Sequence, residues 1–280
     1  MTSPRYLAAA AFACFATTPA LANEVSPWTP VGKGVEAEIA WSQQSADSLN
    51  AGTSVAPLPR DLDQTSVTLD VTYGVTDRLA IDFHGGYAKS EFLVDPGLAP
   101  DGGLDGLTDF TIGARYKVVD EVDGAPLTAT LAIAAIIDGG YRTGALPAIG
   151  DGGSGGQVAL ALGKQIGPFS LSGNIGYRTR SNNVPDEVFG ASRIAVSFAD
   201  RFSVFGGLSF TDSTSGLDIG GPGFTPARFP EVEEDYKLWL VGGSAAITDR
   251  LSLNATYGEK FDGRNTARSN VFRIGVGFAY

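Results

Sequence analysis

The 280-residue sequence contains one cysteine (Cys14), one histidine (His84) and one methionine (Met1). A single cysteine closes no intrachain disulfide, and one histidine with one cysteine is too small a set for a zinc centre. Any Ser-His nucleophilic pair would have to use His84. Outside the N-terminal stretch, no run approaches the roughly 20 apolar residues of a membrane-spanning helix. Basic residues are also scarce. Twenty Lys and Arg against 31 Asp and Glu leave a formal charge of −11, which argues against nucleic acid as a partner. The paired glycines Gly102-Gly103 and Gly152-Gly153 open no helical pattern, so they read as loop glycines rather than phosphate cradles. No enzyme activity, cofactor or metal is expected from this inventory.

What the chain has is glycine, 37 residues of it, and alternation. In the last eleven residues Phe272, Ile274, Val276, Phe278 and Tyr280 alternate with Arg273, Gly275, Gly277 and Ala279. That period of two gives a strand one apolar face and one polar or small face. The placing of Arg273, Gly275, Phe278 and a terminal Tyr280 resembles the closing strand by which bacterial outer-membrane proteins are recognised for assembly. The same period recurs upstream. Val35, Ala37, Ile39 and Trp41 alternate with Glu36, Glu38, Ala40 and Ser42, and Val67, Leu69, Val71 and Tyr73 with Thr68, Asp70 and Thr72. Leu79, Ile81, Phe83 and Tyr87 alternate with Ala80, Asp82, His84 and Gly86.

Three tight connections share an apolar-small-Asp-Arg-apolar pattern: Val75 to Leu79, Phe198 to Phe202 and Ile247 to Leu251. Short turns of this kind alternate with long loops, such as Gln44 to Asp63, Lys89 to Gly106, Asp138 to Gly153 and Asp212 to Asp235, with a medium one over Phe261 to Ala267. The rhythm predicts an all-β fold, a transmembrane antiparallel up-and-down β-barrel of about 12 strands, with both termini on the periplasmic side. Aromatic residues fall into two rings. Trp41, Tyr87, Phe110, Tyr177, Tyr236 and Tyr257 lie toward the long-loop ends, and Tyr73, Tyr116, Phe169, Phe198, Phe202 and Tyr280 toward the short-turn ends.

The N-terminus supplies an export address. Arg5 precedes an apolar stretch from Tyr6 to Phe15, and Ala20-Leu21-Ala22 has the small-x-small form of a cleavage site. Residues 1–22 thus read as a signal peptide, 23–32 as a short periplasmic lead-in and 33–280 as the barrel. Removing 1–22 takes away Cys14, and the loss of Arg5 moves the formal charge to −12. The expected location is the bacterial outer membrane. The expected partners are its lipid and lipopolysaccharide, the barrel-assembly machinery and a small-molecule solute.

A family resemblance rests on three stretches: Gly74 to Leu79 (GVTDRL), Gly106 to Tyr116 (GLTDFTIGARY) and Leu171 to Arg178 (LSGNIGYR). Together they resemble the outer-membrane proteins grouped as the MetA-pathway of phenol degradation family. The resemblance implies a transporter-like barrel associated with aromatic compounds, and it transfers no binding residues.

The lumen is therefore read from strand parity. Inward positions include Glu36, Glu38, Asp70 and Asp82 near the start of the chain and Arg178, Arg180 and Arg193 about six strands later. In a twelve-stranded ring that separation predicts an acidic wall facing a basic wall across water, suited to polar solutes. The competing arrangement is a lumen filled by salt bridges. Lys237, Trp239 and Phe205 are expected to add an amphipathic patch, Trp239 facing either lumen or lipid, and His84 to be a polar lumen side chain beside Asp82. The loop carboxylates Asp101, Asp105, Glu231, Glu233, Glu234 and Asp235 read as solvated charges or, alternatively, as ligands for a divalent ion. Two functions fit: a channel for small solutes, or a structural or adhesive barrel that conducts nothing. The closing-strand pattern makes a first prediction. Phe278→Asp, assayed by immunoblot of outer-membrane fractions, is expected to abolish insertion; wild-type levels would overturn this reading of the C-terminus.

Overall fold

The computed structural model describes residues 23–92 and 103–280, apart from Leu146 and Asp200. The expected signal peptide, 1–22, and Asp101 lie outside the described residues. Among the described residues thirteen strands are formed. They are β1 (Val35–Ala51), β2 (Ser54–Gly74), β3 (Leu79–Glu91), β4 (Gly103–Leu107), β5 (Phe110–Val119), β6 (Thr128–Ile137) and β7 (Gly155–Ile166). The chain continues through β8 (Phe169–Arg180), β9 (Glu187–Phe198), β10 (Phe202–Ser213), β11 (Asp235–Ala246), β12 (Leu251–Arg264) and β13 (Ala267–Ala279).

Strands consecutive in sequence pair antiparallel, except that β5 pairs with β3 rather than β4, and β1 pairs with β13 from Glu36↔Ala279 to Leu49↔Ala267, which closes the sheet on itself. The ring has twelve strands, since β4 continues the line of β5 and pairs only with β3. Closure leaves no sheet edge within the ring, the condition for strands to cross a hydrocarbon layer. Side chains sort by parity. Ile39, Ile81, Ile133, Ile175, Leu208 and Val276 are exposed on the outer face, while Glu38, Thr68, Thr128, Thr130, Ser209 and Arg273 are buried within.

The short turns carry a shared device. In two of the three Asp-Arg copies a threonine hydroxyl accepts backbone N–H bonds: Thr76 from Arg78 (3.2 Å) and Leu79 (3.0 Å), and Thr248 from Arg250 (3.2 Å) and Leu251 (3.0 Å). The third copy has Ala199 in the left-handed region instead (φ 52°).

Three expectations are corrected. Gln44 to Asp63 is not a loop, because β1 and β2 stay paired as far as Ala51↔Ser54 and form a tall hairpin. Phe261 to Ala267 is likewise strand except for its tip at Asn265-Thr266. These two hairpins are tied together: Asn265 Oδ1 accepts from the Gly52 N–H (2.7 Å) and Asn50 Nδ2 donates to the Gly263 carbonyl (2.9 Å). In β11 Trp239 takes the lipid-facing of its two expected directions, while Tyr236 and Lys237 are reversed from expectation. A register shift against β12 at Lys237/Leu238 accompanies Tyr236, Leu238 and Leu240 turned inward. Trp239 packs against the outward Tyr257 with the rings tilted, and Lys237 pairs with Asp262 on the surface. Trp41, Tyr87, Tyr177 and Tyr257 remain on the outer face at the long-loop ends, and Tyr236 leaves that ring.

A closed barrel of this length resists detergent until heated. Unboiled protein is expected to migrate faster than boiled protein on a detergent gel, with a strand-dominated circular dichroism spectrum; equal mobility or a helical spectrum would count against the ring.

Candidate functional site

The lumen is built from the inward parity of the strands, and register decides which of its charges meet. Glu38 and Asp70 are direct cross-strand partners. Two carboxylates side by side repel, so the pair requires a cation. Arg273 of β13 provides it, donating from Nη2 to Glu38 and approaching Asp70 at 3.4 Å. Asn254 Nδ2 donates a further bond to Glu38 (2.6 Å), and the absent side chain of Gly275 leaves room for the Glu38 carboxyl, 2.8 Å from where a Cβ would stand. His84 lines the lumen cavity beside Asp82, and its Nδ1 lies 2.6 Å from Asp70. Asp82 is held by Arg115 through two bonds of 2.8 Å and by Thr72 (2.8 Å).

The later arginines are committed as well. Arg178 pairs with Glu187 at 2.8 Å and lies over the Phe189 ring. Arg180 pairs with Asp109 at 3.1 Å, and Arg193 with Glu24 at 2.9 Å while covering the Phe205 ring. Glu36 is buried on the same inward face of β1 as Glu38. Asp70, Asp82, Arg178 and Arg180 line one interior cavity, but each already has a partner close by. Each charge is matched by a neighbouring strand, a loop or the N-terminal segment, because cross-strand side chains stand about 5 Å apart whereas a twelve-stranded tube is far wider.

The main departure from the sequence reading is the segment 23–32. Instead of leading in below the barrel, it runs up inside it. Gly32 donates its N–H to Asp77 in a short turn (2.8 Å), whereas Asn23 Nδ2 reaches the Phe210 carbonyl, Thr211 and Tyr236 at the long-loop end. In between, lumen side chains grip its backbone. Arg115 Nη1 donates to the Ser26 and Trp28 carbonyls (3.0 and 2.9 Å), and Thr130 to the Pro27 carbonyl (2.6 Å). Asn174 brackets the upper part, accepting from the Val25 N–H (3.1 Å) and donating to the Asn23 carbonyl (2.7 Å). Gly163 permits this packing, since a Cβ there would stand 2.5 Å from Pro27 and 2.7 Å from Trp28.

The segment divides the interior. On the β9–β13 side an apolar cluster of Leu238, Leu240 and Val271, with Phe205 and Tyr236 against it, fills the lumen. On the β2–β8 side a cavity of about 340 Å³ remains. Its walls include Asp70, Asp82, His84, Thr111, Ala132, Ala134, Arg178 and Arg180, and Glu24 to Ser26 line its inner side. The 138–154 loop roofs it. A bulge between β4 and β5 turns Asp109 toward this roof, where it accepts from Tyr141 Oη (2.8 Å) and the Gly139 N–H (3.3 Å). Burial and the Asp109 charge push the Tyr141 phenol up, while burial and the Glu234 carboxylate push the Asp151 carboxyl up to about 7.

Parity reasoning reached the seven charged positions but not Arg115, Arg273, Asp109 or Asp151. Arg115 and Arg273 sit at inward parity and were legible by the same rule. The loop residues and the lumen path of 23–32 carry no periodic signal. The loop carboxylates are engaged by neighbours: Glu231 by Arg228, Glu233 by Arg264, Glu234 by Lys260, and Asp105 by Tyr87. Among the described residues no group of His, Cys, Asp or Glu is arranged to hold a metal ion.

A ring of twelve antiparallel strands, apolar outside and ion-paired within, defines a transmembrane β-barrel of the outer-membrane type. The chain belongs to the family described as Putative MetA-pathway of phenol degradation, whose profile matches residues 87–274. No curated protein matches it. Among solved structures it is similar to the COG4313 outer membrane channel from Pseudomonas putida F1, at 15% identity and a TM-score of 0.69 over 92% of this chain and 100% of that one. It is also similar to the NanC porin, at 8% identity and a TM-score of 0.53 over 86% and 98% of the two chains. Both likenesses are of fold.

The shared cation at Glu38 and Asp70 makes a prediction. Arg273→Met leaves a buried carboxylate pair without its counter-ion and is expected to lower stability by about 3–5 kcal/mol, read by urea unfolding of the refolded barrel. Adding Glu38→Gln is expected to recover much of the loss.

Proposed function

We propose that this protein is a channel of the bacterial outer membrane that passes small solutes through the side cavity between the segment 23–32 and the β2–β8 wall. The observation that carries the reading is that cavity. It is a polar and apolar space inside a closed transmembrane ring, bounded on one side by a segment held through side chains rather than by the sheet. The family's association with phenol degradation supports aromatic compounds as solutes, and the names of the similar structures, a channel and a porin, support passage. The cavity's mix of Ala132, Ala134 and Ile136 with His84, Asp82 and Arg178 suits a small ring bearing a polar substituent. His84 is bonded to Asp70, which fits a polar group of the cavity wall.

The filled β9–β13 side favours a second reading, a barrel that is structural or adhesive and does not conduct. Planar-bilayer recording separates the two. The wild type is expected to show small discrete openings, and deletion of residues 24–30 to raise conductance several-fold. Silence from both proteins, each shown to be folded, would establish the second reading.

A further inference from the structure

The cavity wall has one stretch whose polar groups are not all taken up by each other. On the lumen face the register sets Asp70 opposite His84 and His84 opposite Thr111, so β2, β3 and β5 present these three side chains in one row. In the next row toward the short turns, Asp82 is opposite Gly113 and Gly113 opposite Ala134. A Cβ at Gly113 would stand 3.0 Å from the Ala134 Cβ, so the middle of this second row is low as well as apolar. Ala132 follows one row further down, opposite Arg115. His84, Thr111, Gly113, Ala132 and Ala134 all line the cavity of about 340 Å³. A polar edge thus borders a floor of small residues, in a space of the size that holds small ligands.

The chemistry of that edge is set by Asp70. An ionised carboxylate only accepts hydrogen bonds, so the His84 Nδ1 that lies 2.6 Å from it carries the ring proton. In the neutral imidazole this leaves Nε2 as a lone-pair acceptor. Among the described residues neither His84 Nε2 nor the Thr111 hydroxyl has a hydrogen-bond partner. The His84 side chain is 20% exposed, and it lines the cavity. Arg115, by contrast, has all five of its N–H groups engaged, by Asp82, Thr72 and the Ser26 and Trp28 carbonyls. It has none left for an anion, and a carboxylate placed at His84 would stand beside Asp70 and Asp82, which repel it.

We infer that His84 and Thr111 are the specificity-determining pair of this cavity. A neutral aromatic ring carrying an O–H or N–H group lies on the Gly113–Ala134 floor and donates its hydrogen bond to His84 Nε2. A ring hydroxyl also accepts from the Thr111 hydroxyl. Asp70 is a positioning residue, fixing the imidazole tautomer that makes Nε2 an acceptor. The inference rests on the reading of the cavity as the place of the solute, and it specifies which rings are held there: a phenol in preference to its methyl ether, and to an aromatic carboxylate.

His84 is the only histidine of the chain, so barrel prepared without a histidine tag and labelled with ¹⁵N in the imidazole gives one pair of ring-nitrogen signals by NMR in detergent micelles. At about pH 8, above the ordinary histidine range, Nδ1 is expected as the N–H nitrogen and Nε2 as the unprotonated one; the reverse assignment overturns the inference. Titration with phenol is expected to move the Nε2 signal saturably, and anisole, which has the ring but no donor, to leave it in place. No response to phenol, or an equal response to both, overturns the donor requirement, as does tighter binding of benzoate than of phenol. Thr111→Val is expected to weaken phenol binding about fivefold, and Thr111→Ser to restore it; unchanged affinity in folded Thr111→Val overturns the role of Thr111. Should Thr111→Val fail to fold, the contrast between phenol and anisole in the wild type still decides. Silent bilayers with a saturable phenol shift would overturn the channel and keep the site, and conduction without any shift would do the opposite.

Discussion

Cross-strand pairing of charges inside a closed ring is the constraint on which the rest of this structure depends. The outer face is apolar, so every ionisable side chain on the strands is directed into the lumen or onto the rims, where it needs a partner at short range. Register provides those partners. Asp70 is opposite His84, Thr72 opposite Asp82, and Arg178 opposite both Gln157 and Glu187. The exception is instructive: Glu38 opposite Asp70 would be a repulsive pair, and the first strand must borrow Arg273 from the last. That ion pair bridges the β1–β13 seam, so the side-chain network reinforces the closure made by the backbone ladder.

The same network determines what occupies the interior. Small and hydroxyl-bearing inward residues such as Thr128, Thr130, Ala161, Gly163 and Ser209 leave a space too wide for their own side chains to fill. The chain fills part of it with Asn23 to Gly32, and fills the β9–β13 side with Phe189, Leu238, Leu240 and Val271. What remains open lies off the barrel axis, against the wall that carries Asp82, His84 and Arg115. The carboxylates and guanidiniums along that wall are largely matched by each other, so the field in the open space is local and dipolar.

Strand parity and the alternation of turns with loops made the architecture legible in the sequence. Twelve ring strands, the inward direction of Glu38, Asp70 and Asp82, and the outward direction of Ile39, Trp41 and Tyr257 all follow from a period of two. Errors appeared where that period is silent. The polar outer hairpins β1–β2 and β12–β13 read as loops because a strand above the membrane has no apolar face to announce it. The direction of Trp239 stays open in the sequence because Tyr236, Lys237, Leu238 and Trp239 place large side chains on both faces, and the offset at Lys237/Leu238 is a property of pairing with β12 rather than of β11 alone. The path of 23–32 was illegible for a related reason. Its partners Arg115, Thr130, Asn174 and Arg193 come from four strands far away in sequence, and none is distinguished from ordinary polar filling until the ring is closed.

How the segment is held also bears on how it can move. From Asn23 to Trp28 its backbone is bonded mainly to side chains, and none of its residues joins the ladder between ring strands. Such bonds contribute about 1–3 kcal/mol each when a charged group takes part and less otherwise, and they exchange readily for water. At its lower end the attachment differs in kind. Lys33 donates its N–H to the Gly74 carbonyl (2.6 Å), Gly34 donates to the Val31 carbonyl (2.8 Å), and Val35 enters the sheet. The upper part is therefore held to the lumen wall by contacts that are separate from the ladder closing the ring. The closure of the barrel resides in the ladder and the seam ion pairs, and the filling of its interior by the segment in a separate and weaker set of contacts.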